Sequence, residues 1–237
     1  MRVAAIIVAG GIGSRMKTPV PKQFMALAGK PLLAHTVSRF VGCLAVDEIV
    51  VVLPRRGFRE HAELMATWKA ASKTFRMVPG GEERQDSMAN GLDSLPAGYD
   101  GLVVVHDGAR PLVEQALITK VVEMAHVSGG AIAGLPVYET LKEVAESGVV
   151  VGTADRLRFY RAQTPQCFRY EILRRAVDQA REDNYLGTDE AALVERLGEP
   201  VRIVPGSETN IKVTTARDLA LAEYYLKQEL EKGGADQ

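Results

Sequence analysis

Cysteine is scarce in this chain: Cys43 and Cys167 are the two present among 237 residues, and they lie far apart in sequence. Two isolated thiols provide neither a disulfide framework nor the spacing of a metal site. Nor is charge of one sign in excess. Lysine and arginine number 29 against 30 aspartates and glutamates, for a formal net charge of -1. No global field therefore draws the protein to nucleic acid or to a membrane surface, and a polyanion would have to be held by a local cluster of cations. No apolar run approaches the roughly 20 residues of a membrane span, and no cleavage signal follows the apolar start. No nucleic-acid partner and no membrane are expected, and a cytoplasmic enzyme is the default.

Two phosphate-binding signatures are also missing. The dinucleotide fingerprint needs a third glycine where this chain has Met16, and an acid at the end of the second strand, which here closes on Leu53 and Pro54. A GxxxxGK sequence followed by Ser or Thr is likewise absent. A nicotinamide oxidoreductase is disfavoured by Met16 and the missing strand-end acid. Internal repeats, low-complexity segments and a convincing linker are lacking too. The 46% hydrophobic and 25% charged composition is that of a soluble globular domain.

What is present begins with VAAIIVAGGIGSRMKTPVPKQF. A charge-free apolar run, Val3 to Ala9, fits a strand buried on both faces of a parallel sheet. It breaks into Gly10, Gly11 and Gly13, where the backbone can approach a ligand closely. Arg15, Lys17 and Lys22 follow, and Pro19 and Pro21 keep that segment out of a helix. A glycine turn with fixed cations suits a polyanion, most simply a nucleoside triphosphate. The plain alternative is a strand-to-helix turn with solvated lysines.

The rest of the chain alternates strands and helices. Leu32, Leu33, Val37, Phe40 and Val41 make one helical stripe, with His35 read as a packed or surface histidine. Glu48–Pro54 is a second strand, and a helix over about 58–71 carries Trp68, read as core. Thr74–Gly81 is a third strand ending in Gly80 and Gly81. The following helix places Met88, Leu92 and Leu95 on one face, and Ser87 with the two glycines can line a base or ribose pocket. The strand LVVVH delivers Asp107 at its carboxyl end, where open α/β sheets bind ligands. Arg110 faces the same region. Asp107 is thus either a ligand for Mg²⁺ or half of a structural salt bridge with Arg110. A helix over about 114–127 and a strand GGAIAGLPV follow. From Glu139 two alternating strands flank Glu146, Ser147 and Gly148, a hairpin too polar for a core and suited to reach a second subunit. RAQTPQCFR places Thr164 and Gln166 on either side of Pro165. A helix over 170–182 is next, and Thr188 reads as the N-cap of DEAALVERLG. A late strand, Val201–Gly206, precedes SETNIK, which carries Lys212, and Thr215 with Asp218 has capping-box spacing for a last helix over about 216–230. The fold class expected is α/β: one domain with a mostly parallel sheet flanked by helices, plus a protruding hairpin over about 138–160.

Several stretches, AAIIVAGGIGSRM, PKQF, GGEERQDS, VHDGARP, PVYETLK, AQTPQ, TDEA and NIKVTT, occur together in an order that resembles the 2-C-methyl-D-erythritol 4-phosphate cytidylyltransferases from about Val3 to Thr215. The resemblance implies a Rossmann-like nucleotidyltransferase domain whose β-arm is exchanged across a homodimer. It implies transfer of CMP from CTP to the polyol phosphate with release of pyrophosphate, with Mg²⁺ or another divalent cation as cofactor. By the same resemblance Arg15, Lys22 and Lys212 carry the catalytic charge. Ala9, Gly10, Gly11, Gly13, Gly80, Gly81, Ser87 and Asp107 surround the nucleotide, and Asp107 approaches the metal. Arg110, Thr140, Arg156 and Thr164 hold the acceptor, some of them from the second subunit. Lys17, Met25 and Tyr138 fall where the family pattern varies. Two rivals remain at this stage: a sister enzyme acting on ribitol 5-phosphate or another polyol phosphate, and a catalytically silent nucleotide-binding scaffold. The joint presence of Arg15, Lys22, Asp107 and Lys212 speaks against the scaffold.

Overall fold

The computed structural model describes residues 1–11, 21–66 and 73–235. Gly13, Arg15, Met16, Lys17, Pro19 and Trp68 lie outside the described residues. The chain opens with β1 (Val3–Val8), reaches a short 3-10 turn at Lys22–Phe24, and passes through a small β2–β3 ladder (Ala26–Leu27, Lys30–Pro31) into α1 (Leu32–Val41). Next come β4 (Glu48–Leu53), α2 (Phe58–Ala66), β5 (Thr74–Pro79), α3 (Arg84–Asp93), β6 (Leu102–Asp107), α4 (Gln115–Ser128) and β7 (Gly130–Pro136). A hairpin of β8 (Lys142–Val144) and β9 (Val150–Thr153) precedes β10 (Tyr160–Arg169), α5 (Tyr170–Glu182), α6 (Glu190–Arg196), β11 (Arg202–Pro205) and α7 (Ala216–Ala235).

Among the described residues seven strands form one sheet, in the order β11-β7-β10-β6-β1-β4-β5. β1 pairs parallel with both β4 and β6, and every other pairing is parallel except those of β10. The central strands are apolar throughout because helices cover both faces. Strand alternation then divides their side chains. Ala5, Ile7, Ile49, Val51 and Val104 join Leu33, Val37 and Phe40 of α1 and Ile118 and Val121 of α4 in one core. Ala4, Ile6, Val50, Val52, Val103 and Val105 join Met88 and Leu92 of α3 and Leu173 and Val177 of α5 in the other. A third cluster, with Leu27, Leu32, Ala109, Val213, Ala222 and Leu226, ties α7 and the loop before it to the turn after β6. That packing brings Lys212 next to Asp107.

Local structure departs from the sequence-based reading in β10, at the start of α6 and at the end of α7, which runs through Gly233 and Gly234 to Ala235 rather than ending near 230. RAQTPQCFR, to which no element was assigned, belongs to a ten-residue strand inserted antiparallel between β6 and β7. Its register slips between Ala162 and Gln166, where Pro165 can donate no ladder hydrogen bond. The N-cap of α6 is Asp189 and not Thr188: its carboxylate accepts from the Ala192 N–H at 2.9 Å. The cap of α7 is as expected, with the Thr215 N–H donating to Asp218 and the Asp218 N–H to the Thr215 hydroxyl. The β8–β9 hairpin is present and exposed on both strands, with Gly148 at a φ of 81° in its turn. No helix among the described residues is long and apolar enough to cross a membrane.

Candidate active site

A cavity of about 410 Å³ opens at the carboxyl ends of β1, β5 and β6. The chain builds β4 and β5 on one side of β1 and β6 on the other, so the cavity lies at the topological switch point, where such sheets leave a crevice. Val8, Ala9, Gly10 and Gly11 form its floor, and Lys22 and Gln23 enter from the 3-10 turn. Gly81, Glu82 and Glu83 come from the β5–α3 turn, Arg84 and Ser87 from the first turn of α3, Asp107 and Ala109 from the end of β6, and Lys212 and Thr214 from the loop before α7.

The two glycine turns meet directly. A Cβ on Gly10 would lie 2.6 Å from the Ser87 hydroxyl oxygen and 3.3 Å from the Gly80 Cα, so glycine is the residue that lets β1 and the β5–α3 turn close against each other. Ser87 Oγ in turn accepts from the Gly81 N–H at 3.1 Å. Gly80 stands behind this contact and is not part of the cavity wall.

Asp107 is the electrostatic centre. Its carboxylate receives Arg84 Nε at 3.1 Å, Arg110 Nε at 3.4 Å and Lys212 Nζ at 2.9 Å. Burial alone would raise its pKa, but Arg84, Lys212 and Arg110 outweigh that and hold it well below the usual carboxylate range. Arg84 also makes a two-pronged contact with the buried Glu190, at 2.7 and 3.0 Å. Burial works against its charge, and Glu190 and Asp107 more than compensate. The anions therefore orient cations around the cavity and leave both Asp107 oxygens occupied. Among the described residues no three metal-donor side chains cluster. A multi-carboxylate metal cage does not fit here; an ion carried on a nucleotide's own phosphates does, since Mg²⁺ keeps waters and needs one or two protein carboxylates at most.

Motifs far apart in sequence close this network. The Gln166 amide donates to Asp189 at 2.8 Å and its oxygen accepts from the Ala191 N–H at 3.0 Å, which fixes the start of α6 and so Glu190. Thr164 Oγ accepts from the Asp107 N–H at 3.1 Å and lies 3.0 Å from His106 Nδ1. The Arg110 carbonyl can only accept, so His106 carries its ring proton on Nε2, 3.2 Å away, and the Nδ1 of the neutral ring accepts from the Thr164 hydroxyl. Burial pushes His106 down to about 3, consistent with that neutral form. Asn210 completes the frame: its side chain donates to the Thr164 carbonyl and its own carbonyl receives Arg110 Nη1, both at 2.8 Å.

Of the residues singled out from sequence, Ala9, Gly10, Gly11, Lys22, Gly81, Ser87, Asp107 and Lys212 share this cavity. Arg15 and Gly13 lie outside the described residues. Arg110 touches Asp107 from behind the wall. Thr164 is buried, with its hydroxyl spent on Asp107 and His106. Thr140 and Arg156 are exposed beside the hairpin, where Arg156 Nη1 donates to the Tyr138 carbonyl at 2.6 Å. Of the two readings of Asp107, the salt bridge with Arg110 is formed, and the Mg²⁺ contact would require Asp107 to give up one of three cations. Arg84, Glu190 and Gln23 were missed. The first two are 106 residues apart, and each alone reads as a charged residue in a helix's first turn.

The model of the family described as 2-C-methyl-D-erythritol 4-phosphate cytidylyltransferase matches residues 3–228. The chain belongs to this family. A cytidylyltransferase of that name from Syntrophus aciditrophicus is 44% identical over 234 residues, covering 96% of this chain and 97% of its own. The crystal structure of the cytidylyltransferase from Thermus thermophilus shares 34% identity at a TM-score of 0.77, over 96% of this chain and all of that one. The structure of 4-diphosphocytidyl-2C-methyl-D-erythritol synthase from Anaerococcus prevotii superposes at a TM-score of 0.84, with 26% identity, over 95% of this chain and 96% of that one. The family resemblance of the motifs thus extends over nearly the whole chain and fold.

Proposed function

We propose that this chain transfers the cytidylyl group of CTP to 2-C-methyl-D-erythritol 4-phosphate, forming 4-diphosphocytidyl-2-C-methyl-D-erythritol and pyrophosphate in the non-mevalonate route to isoprenoids. The observation that carries the reading is convergence: motifs spread from Gly10 to Lys212 meet at one cavity walled by glycines and cations. An oxygen of the acceptor phosphate attacks the α-phosphorus of CTP, and the bond to the bridging oxygen of pyrophosphate breaks in line. Both reactants are anions, so the protein's work is alignment and neutralisation. Lys22 and Lys212 lie on the cavity wall for that purpose, and Arg15 is assigned to the same charge cluster. Asp107 orients Lys212, 2.9 Å away, and Arg84. No covalent nucleophile is required, and an ionised phosphate oxygen needs no base.

CTP enters as its complex with Mg²⁺ or another divalent cation, which offsets charge on the phosphates. Glycine turns bearing Gly10, Gly11 and Gly81, with Ser87, take the base and sugar. Arg110, Thr140 and Arg156 serve the acceptor, with Thr164 acting through Asp107. Completion of that pocket by a second copy is supported by the hairpin region, where Val149, Val150, Val151, Leu157 and Tyr160 are all exposed. A monomer would leave this apolar surface in water.

The test is pyrophosphate release over a grid of CTP, UTP, ATP and GTP against methylerythritol phosphate and ribitol 5-phosphate. CTP with methylerythritol phosphate should be the fastest pair. Faster turnover of ribitol 5-phosphate would overturn the acceptor, and no release with any pair would overturn the enzymatic reading.

A further inference from the structure

The PKQF stretch carries a residue that the proposed chemistry leaves unused. Gln23 is 2% exposed and follows Lys22 on the 3-10 turn Lys22–Phe24. Its side-chain nitrogen donates to the Ala9 carbonyl at 2.7 Å and to the Gly11 carbonyl at 3.0 Å. Both partners only accept, so the nitrogen of the amide faces the glycine turn. This side chain thus spans two segments that the site needs at a fixed spacing: the glycine turn on the cavity floor and the turn that carries Lys22. The floor end of the link is firm, because the Ala9 N–H donates to the Val52 carbonyl of β4 at 2.8 Å.

A lysine needs such a seat. Its ammonium rides on a flexible four-carbon stem, so where the charge stands depends on the backbone beneath it and on what the ammonium meets. At its far end Lys22 Nζ lies 3.3 Å from the Val213 carbonyl, in the loop that also carries Lys212. Beneath it the 3-10 turn closes by its own hydrogen bonds, from the Phe24 N–H to the Pro21 carbonyl at 2.9 Å and from the Met25 N–H to the Lys22 carbonyl at 3.1 Å. Phe24 also stacks on His61 of α2 at 4.2 Å. Those contacts shape the turn and tie it to α2, whereas Gln23 ties it to the glycine turn. We propose that Gln23 is a positioning residue: its two hydrogen bonds seat Lys22 against the cavity floor and so set where the Lys22 ammonium stands relative to the α-phosphate of bound CTP. The proposal rests on the cytidylyltransferase reading above.

The experiment is a double-mutant cycle on kcat and KM for CTP, with methylerythritol phosphate as acceptor, in the parent, Gln23→Met, Lys22→Ala and the double variant. Turnover by the parent tests the reading of function by itself, so the two failures are separable. Methionine keeps the length of Gln23 and removes its donor. A small misplacement of a catalytic group costs up to about 100-fold in rate, so Gln23→Met should lower kcat by about 10- to 100-fold and leave KM for CTP within about threefold. In the Lys22→Ala background no ammonium remains to be placed, and the same change should cost less than about threefold. A merely structural role would act through the glycine floor or through stability, raising KM for CTP or lowering kcat alike in both backgrounds. Should Gln23→Met not fold, the cycle is run with Gln23→Asn, which keeps the amide on a shorter stem, and the same pattern is expected. The proposal is overturned if kcat of the Gln23 variant stays within about threefold of the parent, or if KM for CTP rises in place of the fall in kcat. It is also overturned if the loss persists undiminished without Lys22.

Discussion

Asp107 gathers Arg84, Arg110 and Lys212 within 3.4 Å, and each of those cations is oriented by what the carboxylate returns to it. Asp107→Asn keeps the shape and removes the charge, which leaves three cations facing one another. Removing one partner of a fully buried pair costs about 3–5 kcal/mol; Lys212 is half-exposed, so a loss nearer about 3 kcal/mol is expected in urea denaturation, and less than about 1 would contradict the role. Lys22 sits in the same wall with its ammonium 3.3 Å from the Val213 carbonyl. Its charge is assigned to the transition state, so Lys22→Ala should lower kcat by about two to three decades, roughly 3–4 kcal/mol. A variant within twofold of the parent in steady-state kinetics would rule that out. Much of this site could be read in advance, because Asp107 ends a continuous apolar strand and Gly10 interrupts another. Arg84, Glu190 and Gln23 were not legible for the opposite reason: what each touches is set by the fold, and a charged or amide side chain beside a turn reads first as surface.

At the level of elements, the parallel core was the most legible part, since strands such as IVVVL and LVVVH have no polar face to offer solvent. The hairpin was legible too, from Glu146, Ser147 and Gly148 between alternating strands. β10 was not, because Pro165 argues against a central strand and only the Thr164, Gln166 and Asn210 hydrogen bonds show how it is accommodated. Arg156, on the 3-10 turn after β9, is held by the Tyr138 carbonyl and is otherwise exposed. If it serves the acceptor phosphate, Arg156→Ala removes a charge-assisted hydrogen bond and should raise KM for the polyol phosphate by about 10- to 100-fold while KM for CTP stays within about threefold. Equal rises for both substrates would place Arg156 elsewhere. The same element carries the dimer proposal, checked by sedimentation at micromolar concentration: a single species of monomer mass would sink it.

For the whole molecule, the histidines set how stability responds to acid. Burial lowers His35, which sits 2.7 Å from the Leu27 carbonyl, and His61, which stacks on Phe24 at 4.2 Å. It lowers His106 to about 3, where Asp107 favours the charge and Arg110 and Arg84 oppose it. A base whose folded pKa lies below its unfolded value of about 6.5 is neutral in the native state while the unfolded chain takes up protons. Stability is therefore fully present above about pH 6.5 and declines as pH falls toward 3. Over most of that window His106 alone supplies a slope approaching about 1.4 kcal/mol per pH unit, with His35 and His61 adding in the same direction. The Asp107 contribution is lost only lower, once the unfolded carboxyl titrates near about 3.9. Urea midpoints at fixed protein concentration should thus fall steadily from pH 7 to 4.5, ahead of carboxylate protonation. In His106→Gln, whose amide can still reach the Arg110 carbonyl, the starting stability should be lower and the slope shallower. A parent flat between pH 7 and 5, or a variant with the parent's slope, would mean that burial does not keep His106 neutral in the folded protein.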